Sequence, residues 1–444
     1  MTEIVLAASD FADLRQQLLG GADESCAVLF AGSTVRTDGS HRLLVRDALI
    51  PEPSDYSRRG PIEAELNPQF VARVSKRARE NGESVVFTHS HPGTDAPEFS
   101  RTDWEGEQHL ASFFARRQPG VIHAAMVVSE GGVCARGLGQ LEAARVVAVG
   151  SDLQVLTDSL AAQGQLREVF DRQVRAFGVE GQKSLERLTV GIVGLGGMGS
   201  LVAQQLAHLG VRRFILVDPD TLEVSNLNRV ANATPADVGT AKMSLADDYI
   251  RRVAPDASVR GIKGDVTRVS VSRELADASV LFGCTDSHGS RAVLQQVSYQ
   301  YLIPCIDTGT TIIARGGCIS HIIGRVQLLA PGFACLTCSG LLNPAEVRRD
   351  MMSEFERQSD PYLVGAREPA PAVMSLNGTV ASLSVTMLLS VACGVPMEGR
   401  YLLYDAKLSS LRRAHSQPDP DCHVCSRSGA FARGDSWPLP GRRD

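Results

Sequence analysis

The sequence predicts two domains of different fold class, an α+β domain at the N-terminus and an α/β domain with a doubly wound parallel sheet after it. A chain of 444 residues exceeds what one hydrophobic core usually supports. In its first third, short β-like runs alternate with polar turns and two helical stretches, as in an α+β domain. From residue 189, the run TVGIVGLGGMGSLVAQQLAHLGVRRFILVD follows the order strand, glycine turn, helix, strand, which opens a parallel sheet.

The N-terminal domain is predicted over residues 1–140. Its β-like runs cover residues 26–32, 42–50, 84–90 and 122–129. We expect these runs to form a mostly antiparallel sheet, with helices near 68–80 and 101–117.

The remaining chain is predicted in three parts. Residues 141–182 are rich in Ala, Gln and Leu with mixed charge, which favours a helical linker. The α/β domain follows over residues 183–428, with further strands at 280–284 and 302–307. Residues 429–444 lack periodicity, so we expect a disordered tail.

Composition excludes several classes of function and location. The net charge of −5 and scattered Lys and Arg residues give no reason to expect nucleic-acid binding. The longest apolar stretch, residues 381–392, is short and interrupted by Ser and Thr, which favours a buried helix over a membrane span. The N-terminus has an early acid and no basic region before an apolar run, so we expect a cytoplasmic protein without a secretory signal.

The segment THSHPGTDAPEFSRTD predicts a metal site. His89 and His91 lie two apart on a predicted strand, so both imidazoles point to one face. Asp103 follows Ser100 at the spacing of one helical turn, where Ser100 is also a suitable helix cap. Two imidazoles and one carboxylate make a three-ligand zinc site with a fourth position open for water. Pro92, directly after the second histidine, makes the pattern more specific.

This pattern of His-x-His-Pro, seven residues and Ser-x-x-Asp resembles the JAMM (MPN+) metalloisopeptidases, over roughly residues 1–140. The resemblance implies that the two histidines and the aspartate bind a catalytic zinc, and that Ser100 steadies a tetrahedral intermediate. It also implies a general-base glutamate at the start of an upstream strand. Glu24 is the best match, while Glu63 and Glu65 are rivals that we place in a loop-to-helix region.

A glycine-rich turn predicts a phosphate site in the second domain. Four glycines form it between a strand and a helix: Gly194, Gly196, Gly197 and Gly199. Glycines let the backbone approach a phosphate, and the helix N-terminus supplies N–H donors. Asp218 ends the next strand and can bond a ribose, but these features do not separate ATP from NAD.

Residues that follow the glycine turn favour ATP. The polar residues behind it are Asn226, Arg229, Lys242 and Asp286. Two cations and an acid near phosphates suit a triphosphate and magnesium, whereas hydride transfer by a dehydrogenase has no such need. The series resembles the ThiF/MoeB/ubiquitin-activating superfamily, which implies a Rossmann-like adenylation domain. By this resemblance Asp218 holds the ribose, the asparagine and the two cations contact phosphates, and Asp286 coordinates Mg²⁺.

The resemblance, which runs from about Arg172 to Cys425, also implies a homodimer and a structural zinc. Arg172 matches an arginine that reaches into the partner subunit's site, and Val230 replaces the family's usual Gln. The implied structural-zinc ligands are Cys335, Cys338, Cys422 and Cys425. Two separated Cys-x-x-Cys pairs are in themselves a strong signal for tetrahedral zinc.

The transfer nucleophile departs from the pattern of many relatives. No cysteine occurs between residues 339 and 392, where those relatives carry one. Direct attack on the adenylate, or an oxyester on Ser353 or Ser359, are the interpretations we favour. Four cysteines elsewhere are a third option, although their apolar settings predict burial: Cys284, Cys305, Cys318 and Cys393.

Together the two resemblances imply an enzyme that adenylates the C-terminal glycine of a ubiquitin-like β-grasp protein and carries a fused zinc isopeptidase or processing peptidase. A conjugating-enzyme-like partner is possible in such a bacterial ubiquitination-like pathway. Two alternatives stay open: activation of a sulfur-carrier protein through a thiocarboxylate, and an N-terminal domain that binds the modifier without metal.

Overall fold

The computed structural model describes residues 2–157, 167–315, 318–353, 356 and 371–442. The chain folds into two compact units. The first unit consists of Met1–Gln163, Gln300–Leu302 and Arg427–Pro438. The second unit consists of Gly164–Tyr299, Ile303–Ser426 and Leu439–Asp444.

A mixed sheet forms the centre of the first unit. Its strands are β1 (Thr2–Ala7), β2 (Cys26–Val35), β3 (His41–Leu49), β6 (Ser84–Ser90), β7 (Ala124–Val128), β8 (Val133–Gly137), β9 (Arg145–Val149) and β10 (Leu153–Val155). The strand order is β10-β9-β1-β3-β2-β6-β7-β8. Strands β4 (Tyr56–Gly60) and β5 (Glu63–Leu66) form a separate antiparallel pair. The predicted α+β class is confirmed, although the β1–β3, β1–β9 and β6–β7 pairs are parallel.

The first unit has three helices: α1 (Ala8–Leu18), α2 (Pro68–Asn81) and α3 (Arg101–Arg117). Helices α2 and α3 lie close to the predicted 68–80 and 101–117, whereas α1 is not predicted from the sequence. The side chain of Asn67 caps α2 by accepting from Phe70 N, and Gly82 ends that helix in a left-handed conformation. The apolar stripe of α2, which includes Phe70 and Val74, is buried in a cluster with Phe30 of β2.

The predicted helical linker is wrong for its first part. Residues 145–149 and 153–155 are strands, and 158–166 lie outside the described residues. The Val-rich run of β9 pairs in parallel with β1, about 140 residues earlier in the chain. This partner is too distant in sequence for local composition to reveal it.

The prediction of a disordered tail at 429–444 is also wrong for its described residues. Phe431 and the alanine on each side of it are buried. Gly434 forms a parallel bridge with Ser33 of β2. The segment Arg427–Pro438 therefore belongs to the first unit, held by contacts that have no periodic sequence signal.

The second unit contains the predicted doubly wound sheet with an antiparallel extension. Its strands are β11 (Thr189–Val193), β12 (Arg213–Val217), β13 (Ser258–Ile262), β14 (Val280–Gly283), β15 (Cys305–Arg315), β16 (Cys318–Leu329), β17 (Tyr401–Asp405) and β18 (Ser410–Arg413). The order is β13-β12-β11-β14-β15-β16-β17-β18, parallel from β13 to β15. The direction of winding reverses between β11 and β14, where such sheets bind ligands.

The helices of the second unit connect these strands. They are α4 (Asp171–Arg187), α5 (Gly199–Leu209), α6 (Lys242–Val253), α7 (Val269–Arg273), α8 (His288–Gln300), α9 (Pro344–Met351) and α10 (Met374–Cys393). By length and composition alone, α10 could cross a membrane, but half of its apolar window is buried inside the protein. It contacts α4, α5, β15 and β16, as expected for the core helix that the sequence predicts.

Candidate active sites

Strands β2 and β6 bring an acid and two imidazoles of the first unit together. Ser90 N donates to Ser25 O at 2.9 Å, and Ser25 N donates to Ser90 Oγ at 3.0 Å. Because this pairing extends the two strands past their ends, Glu24 lies beside His91, with 3.7 Å between Glu24 Oε1 and His91 Nε2.

The predicted metal ligands converge on one point. His89 Nε2 lies 3.1 Å from both His91 Nε2 and Asp103 Oδ1. His91 Nε2 lies 3.6 Å from Asp103 Oδ2. A tetrahedral zinc with bonds of about 2.0–2.1 Å needs ligand atoms about 3.3 Å apart. The donor set and its spacing therefore fit zinc, with one coordination position left for water.

Electrostatics favour the ligand forms of these side chains. Burial opposes ionisation of Asp103, but hydrogen bonds with His89 and Ser100 outweigh it and hold the pKa below its usual range. Burial, and then the neighbouring His89, lower the pKa of His91. A carboxylate and a neutral imidazole are the protonation states that bind a metal ion.

Glu24 is the glutamate nearest to the imidazoles. Burial raises the pKa of its carboxyl above the usual value, which makes the carboxylate a stronger base. The two rivals are exposed and both pair with Arg58. The structure corrects their placement, since Glu63 and Glu65 lie on strand β5 rather than in a loop-to-helix region.

Ser100 caps helix α3. Its Oγ accepts from Asp103 N at 3.1 Å, and its own N donates to Asp103 Oδ2 at 2.6 Å. The cap fixes the first turn of the helix, and so aims the Asp103 carboxylate at the imidazoles. A hydrogen bond with the Ser100 side chain also helps to hold the pKa of the Asp103 carboxyl below its usual range.

The sequence analysis missed a buried ion pair that supports this site. Arg136 donates to Glu107 at 2.8–3.2 Å, and its guanidinium lies 3.9 Å from the centroid of the Phe99 ring. Phe99 in turn packs at 6.4 Å from the His89 ring. Glu107 lies one helical turn after the metal-binding aspartate, so the pair fixes α3 against β8 and the histidine strand.

The glycine turn of the second unit is closely packed on one side and open on the other. Gly194 has φ of +87°, and a Cβ there would lie 2.7 Å from Cys284 O. A Cβ at Gly199 would lie 1.8 Å from Gly194 O, which excludes any side chain. At Gly196 a Cβ would meet nothing within 4 Å. This open position is where a phosphate can approach the backbone.

Asp218 connects the end of β12 to the glycine turn. Its Oδ2 accepts from Leu195 N at 2.5 Å, and its Oδ1 accepts from Asp220 N at 2.9 Å. Burial raises the pKa of this carboxyl. Lys242, the first residue of α6, donates to Asp220 Oδ2 at 2.7 Å. The structure therefore brings the predicted ribose acid and one predicted cation to the same edge of the sheet.

Arg229 and an unpredicted asparagine also reach the turn. A Cβ at Gly197 would lie 3.2 Å from Arg229 Cβ and 2.5 Å from Asn377 Nδ2. Asn377 lies in the first turn of α10 and is 7% exposed. Asn226 is buried beside Arg229, which donates to Ser225 O at 2.6 Å. The only local feature of the sequence that marks Asn377 is the glycine that follows it.

Asp286 lies at the same edge, three residues beyond the end of β14, and is exposed. Strand β14 pairs with β11, the strand that leads into the glycine turn. Asp286 therefore follows the neighbouring strand. A single exposed carboxylate there can hold Mg²⁺ beside phosphates, the usual arrangement for that ion.

The four cysteines of the two Cys-x-x-Cys pairs come together. The Sγ atoms of Cys335 and Cys338 are 3.6 Å apart, and Cys335 lies 3.7 Å from Cys422. Cys338 and Cys425 are 3.6 Å apart. Four thiolates about 2.3 Å from zinc have mutual distances of about 3.8 Å, so the cluster fits a structural zinc.

The remaining cysteines differ in exposure. Burial raises the pKa of the Cys284 and Cys393 thiols to about 12, and that of Cys305 is also raised by burial. These thiols are poor nucleophiles near neutral pH. Cys318 is exposed, which corrects the prediction that all four are buried.

The predicted serine nucleophiles and the predicted interface arginine have separate outcomes. Ser353 exchanges hydrogen bonds with Glu356, at 2.7 and 3.2 Å. Ser359 lies outside the described residues. Arg172 is exposed in the first turn of α4, and its role in a partner subunit stays a prediction.

Comparison with known proteins decides the family. Residues 170–424 match the ThiF family. The chain belongs to the ThiF family. Residues 11–136 match the prokaryotic homologues of the JAB domain, so this ThiF protein carries a JAB domain at its N-terminus.

Two curated relatives each match more than half of the chain. A SAMP-activating enzyme E1 of Haloferax volcanii is 30% identical over 57% of this chain and 85% of its own length. A molybdopterin-synthase adenylyltransferase of Salmonella typhimurium is 28% identical over 60% of this chain and 99% of its own. Among solved structures, Escherichia coli MccB has a TM-score of 0.49 at 18% identity, over 59% of this chain and 76% of that chain.

Proposed function

We propose that the ThiF domain adenylates the C-terminal glycine of a ubiquitin-like β-grasp protein with ATP. The observation that carries this proposal is the convergence of Asp218, Arg229 and Lys242 on an open glycine turn. The relatives that match more than half of the chain are named as adenylyltransferases and activating enzymes.

The residues divide the work between binding and charge stabilisation. Asp218 holds the ribose, and Arg229 and Lys242 contact the phosphates on which charge develops as pyrophosphate leaves. Asp286 would hold Mg²⁺, which neutralises phosphate charge. The carboxylate attacks the α-phosphate, and the C-terminus remains as an acyl-adenylate.

Intact mass spectrometry tests this proposal. The full chain is mixed with ATP, Mg²⁺ and a small β-grasp protein that ends in glycine. An AMP adduct on the β-grasp protein is expected, lost in Lys242→Ala and kept in Lys263→Ala, an exposed lysine of the same unit. AMP release without dependence on Lys242 would contradict the assignment.

The same experiment separates the pathways. Transfer of the modifier to an amine supports a ubiquitination-like pathway, and a thiocarboxylate formed with a sulfide donor supports sulfur-carrier activation. A thiol-resistant, base-labile adduct on this chain would identify a serine oxyester. An adduct that disappears in Arg172→Ala, and returns when that variant is mixed with Lys242→Ala, would support action of Arg172 in a partner subunit.

We further propose that the JAB domain hydrolyses a peptide or isopeptide bond that follows the modifier's C-terminal glycine. The observation that carries this proposal is the cluster of His89, His91 and Asp103 with Glu24 beside it. A metal-free binding domain would have no need of four such groups around one open position.

The residues have complementary roles in hydrolysis. His89, His91 and Asp103 would hold a zinc ion, which when bound would lower the pKa of a water and polarise the scissile carbonyl. Glu24 takes the proton from the attacking water and passes it to the leaving amine. Ser100, which lies beside Asp103, would donate its hydroxyl proton to the oxyanion that forms.

Cleavage of a modifier with a C-terminal extension tests this activity. Glu24→Gln should lower kcat by about 10²–10⁴-fold, the usual contribution of a general base. The matched control is Glu65→Gln, which changes an exposed rival of the same unit. Loss of cleavage in the control with retention in Glu24→Gln would reverse the assignment of the base.

A further inference from the structure

The segment that contains Glu24 is hydrogen-bonded on both of its sides. On one side, Ser25 bonds to Ser90 of β6 through its N and O atoms. On the other side, the pairing of β2 with β3 begins at Val28. Before that residue, Glu24 and Cys26 bond to the hairpin formed by β4 and β5. The hairpin therefore takes the place of a neighbouring strand beside the proposed general base.

Three residues of β4 make these hydrogen bonds. Glu24 N donates to Gly60 O at 2.8 Å, and Cys26 N donates to Tyr56 Oη at 2.9 Å. Arg59 Nε donates to Glu24 O at 3.1 Å. Because backbone donors and acceptors need partners wherever water is shielded, these bonds fix the position of the segment. Both backbone groups of the glutamate are thus held by the hairpin, and its carbonyl is held by the arginine side chain.

The Arg59 guanidinium connects the hairpin to both strands of the metal site. Its Nη2 donates to Ser25 Oγ at 2.6 Å. Ser25 N in turn donates at 3.0 Å to Ser90 Oγ, and Ser90 lies between the two metal-binding histidines in sequence. The guanidinium carbon also lies 5.0 Å from the centroid of the Tyr56 ring, which favours one orientation of the group. One side chain thus links the base segment, the histidine strand and the hairpin.

The place of the Glu24 carboxylate depends on this backbone. Cys26 lies opposite His89 in the β2–β6 register, and Glu24 Oε1 lies 3.7 Å from His91 Nε2. A shift of the segment by about 1 Å would carry the carboxylate away from the proton that it must accept, and a misplacement of that size costs about 100-fold in rate. Arg59 itself is exposed, so its replacement removes no packing from the core.

We propose that Arg59 is a positioning residue of the JAB site, which holds the Glu24 segment so that the carboxylate faces the cluster of metal-binding side chains. This inference rests on the proposed peptidase activity of the JAB domain. A guanidinium suits the task because its planar fork reaches two acceptors at once, here the Glu24 carbonyl and the Ser25 hydroxyl. A lysine has one nitrogen at the end of a flexible stem and can replace only part of this contact.

Steady-state cleavage by the full chain tests the proposal. The probe is a β-grasp protein that ends in glycine and is extended by a short fluorescein-labelled peptide. Arg59→Met should lower kcat by about 10–100-fold, because the base is misplaced. KM and the zinc content should stay within 2-fold, because neither the substrate nor the metal ligands lose a contact. Arg59→Lys should recover kcat to within 5-fold of the wild type. The matched control is Arg58→Met, which changes the exposed neighbour that pairs with Glu63 and Glu65, and it should keep kcat within 2-fold.

A double variant separates positioning of the base from a general effect on the fold. In Glu24→Gln the group that Arg59 positions no longer accepts a proton. Adding Arg59→Met to that variant should therefore change kcat by less than 2-fold. A fall as large as in the wild-type background would show that the arginine does not act through the glutamate, and would overturn the proposal. So would a kcat of Arg59→Met within 2-fold of the wild type.

Hydrogen exchange tests the positioning without any cleavage, and so distinguishes this inference from the proposed function. The amides of Glu24 and Cys26 donate to the hairpin, and mass spectrometry of peptides from the full chain reports their exchange. They should exchange at least 10-fold faster in Arg59→Met and at the wild-type rate in Arg58→Met. A wild-type chain that cleaves no probe but shows this faster exchange in the variant would overturn the peptidase proposal and keep the role of Arg59. Unchanged exchange in Arg59→Met would overturn the positioning role itself.

Discussion

Asp103 has two structural tasks that one substitution can separate. Its Oδ1 faces His89, whereas its Oδ2 accepts from the backbone of Ser100 and closes the cap of α3. Asp103→Asn keeps an acceptor for the cap but removes the charged ligand. We therefore expect a folded chain whose zinc content falls from two ions to one, measured by elemental mass spectrometry.

The control for this prediction lies on the same helix. Glu105→Gln removes an exposed carboxylate that pairs with Arg101 and should leave two zinc ions per chain. Two zinc ions retained in Asp103→Asn would show that the aspartate is not a ligand. A value of one in the wild-type chain would instead favour a JAB domain that binds without metal.

Glu3 makes the stability of the first unit depend on acid pH. Burial raises the pKa of Glu3, but Arg42, Arg36 and Arg145 outweigh it and lower the value from 4.5 to about 2. The folded state therefore binds the proton less tightly than the unfolded chain. The stabilisation, about 3 kcal/mol in full, is present above pH 4.5 and is lost as the pH falls towards 2.

Urea unfolding measures this dependence. Both tryptophans, Trp104 and Trp437, belong to the first unit, so their fluorescence reports its unfolding in the full chain. Between pH 6 and pH 3 the wild-type unit should lose about 2 kcal/mol more stability than Glu3→Gln, which cannot titrate. Equal losses in the two proteins would show that Glu3 does not carry this pH dependence.

At the scale of elements, the C-terminal segment Arg427–Pro438 should stabilise the first unit through a close backbone approach. A Cβ at Gly32 of β2 would lie 2.4 Å from Ala432 O, and neither backbone can move without breaking the pairing around Ser33. Gly32→Ala should therefore lower the free energy of unfolding of the first unit by about 3 kcal/mol, the upper end of the usual range for overpacked residues.

Tryptophan fluorescence during urea unfolding again gives the measurement. The matched control is Gly21→Ala, because a Cβ at Gly21 would meet nothing within 4 Å and its φ is not positive. A stability of Gly32→Ala within about 0.5 kcal/mol of the control would mean that the segment does not pack against β2 in solution.

Elements defined by local periodicity could be predicted, and elements defined by distant partners could not. The bounds of α3 match the predicted 101–117, and β6 matches 84–90, because helix caps and apolar runs are local signals. The sequence predicts a helical linker where strand β9 lies, because the partner of this strand, β1, is far away in the chain. The sequence predicts a tail where the buried segment around Phe431 lies, because this segment also packs against residues far away in the chain.

The candidate sites follow the same division. The metal ligands could be predicted from one short motif, and Glu24 from its place at the start of β2. Arg136 and Asn377 could not, because each acts on residues far away in the chain, across strand or helix packing. Asp218, which could be predicted, and Asn377, which could not, are both buried, so distance in sequence and not burial separates them.

At the scale of the whole molecule, each unit contains the groups of its own site. The JAB site uses side chains between residues 24 and 103, and the adenylation site uses residues between 194 and 377. Two chemistries on the same C-terminal glycine, one forming and one breaking its acyl bond, can then be changed one at a time.

Two variants, one in each site, test this independence when both activities are measured for each. Glu24→Gln should abolish cleavage of an extended modifier while adenylate formation on the mature modifier stays within 2-fold of the wild-type rate. Lys242→Ala should abolish adenylation while cleavage stays within 2-fold, since Lys242 pairs with Asp220 inside the second unit. Both rates are measured on the same preparation, by mass spectrometry of the modifier. If either variant lowers both rates more than 10-fold with its thermal unfolding unchanged, the two sites are coupled, and the JAB and ThiF domains act as a single catalytic unit.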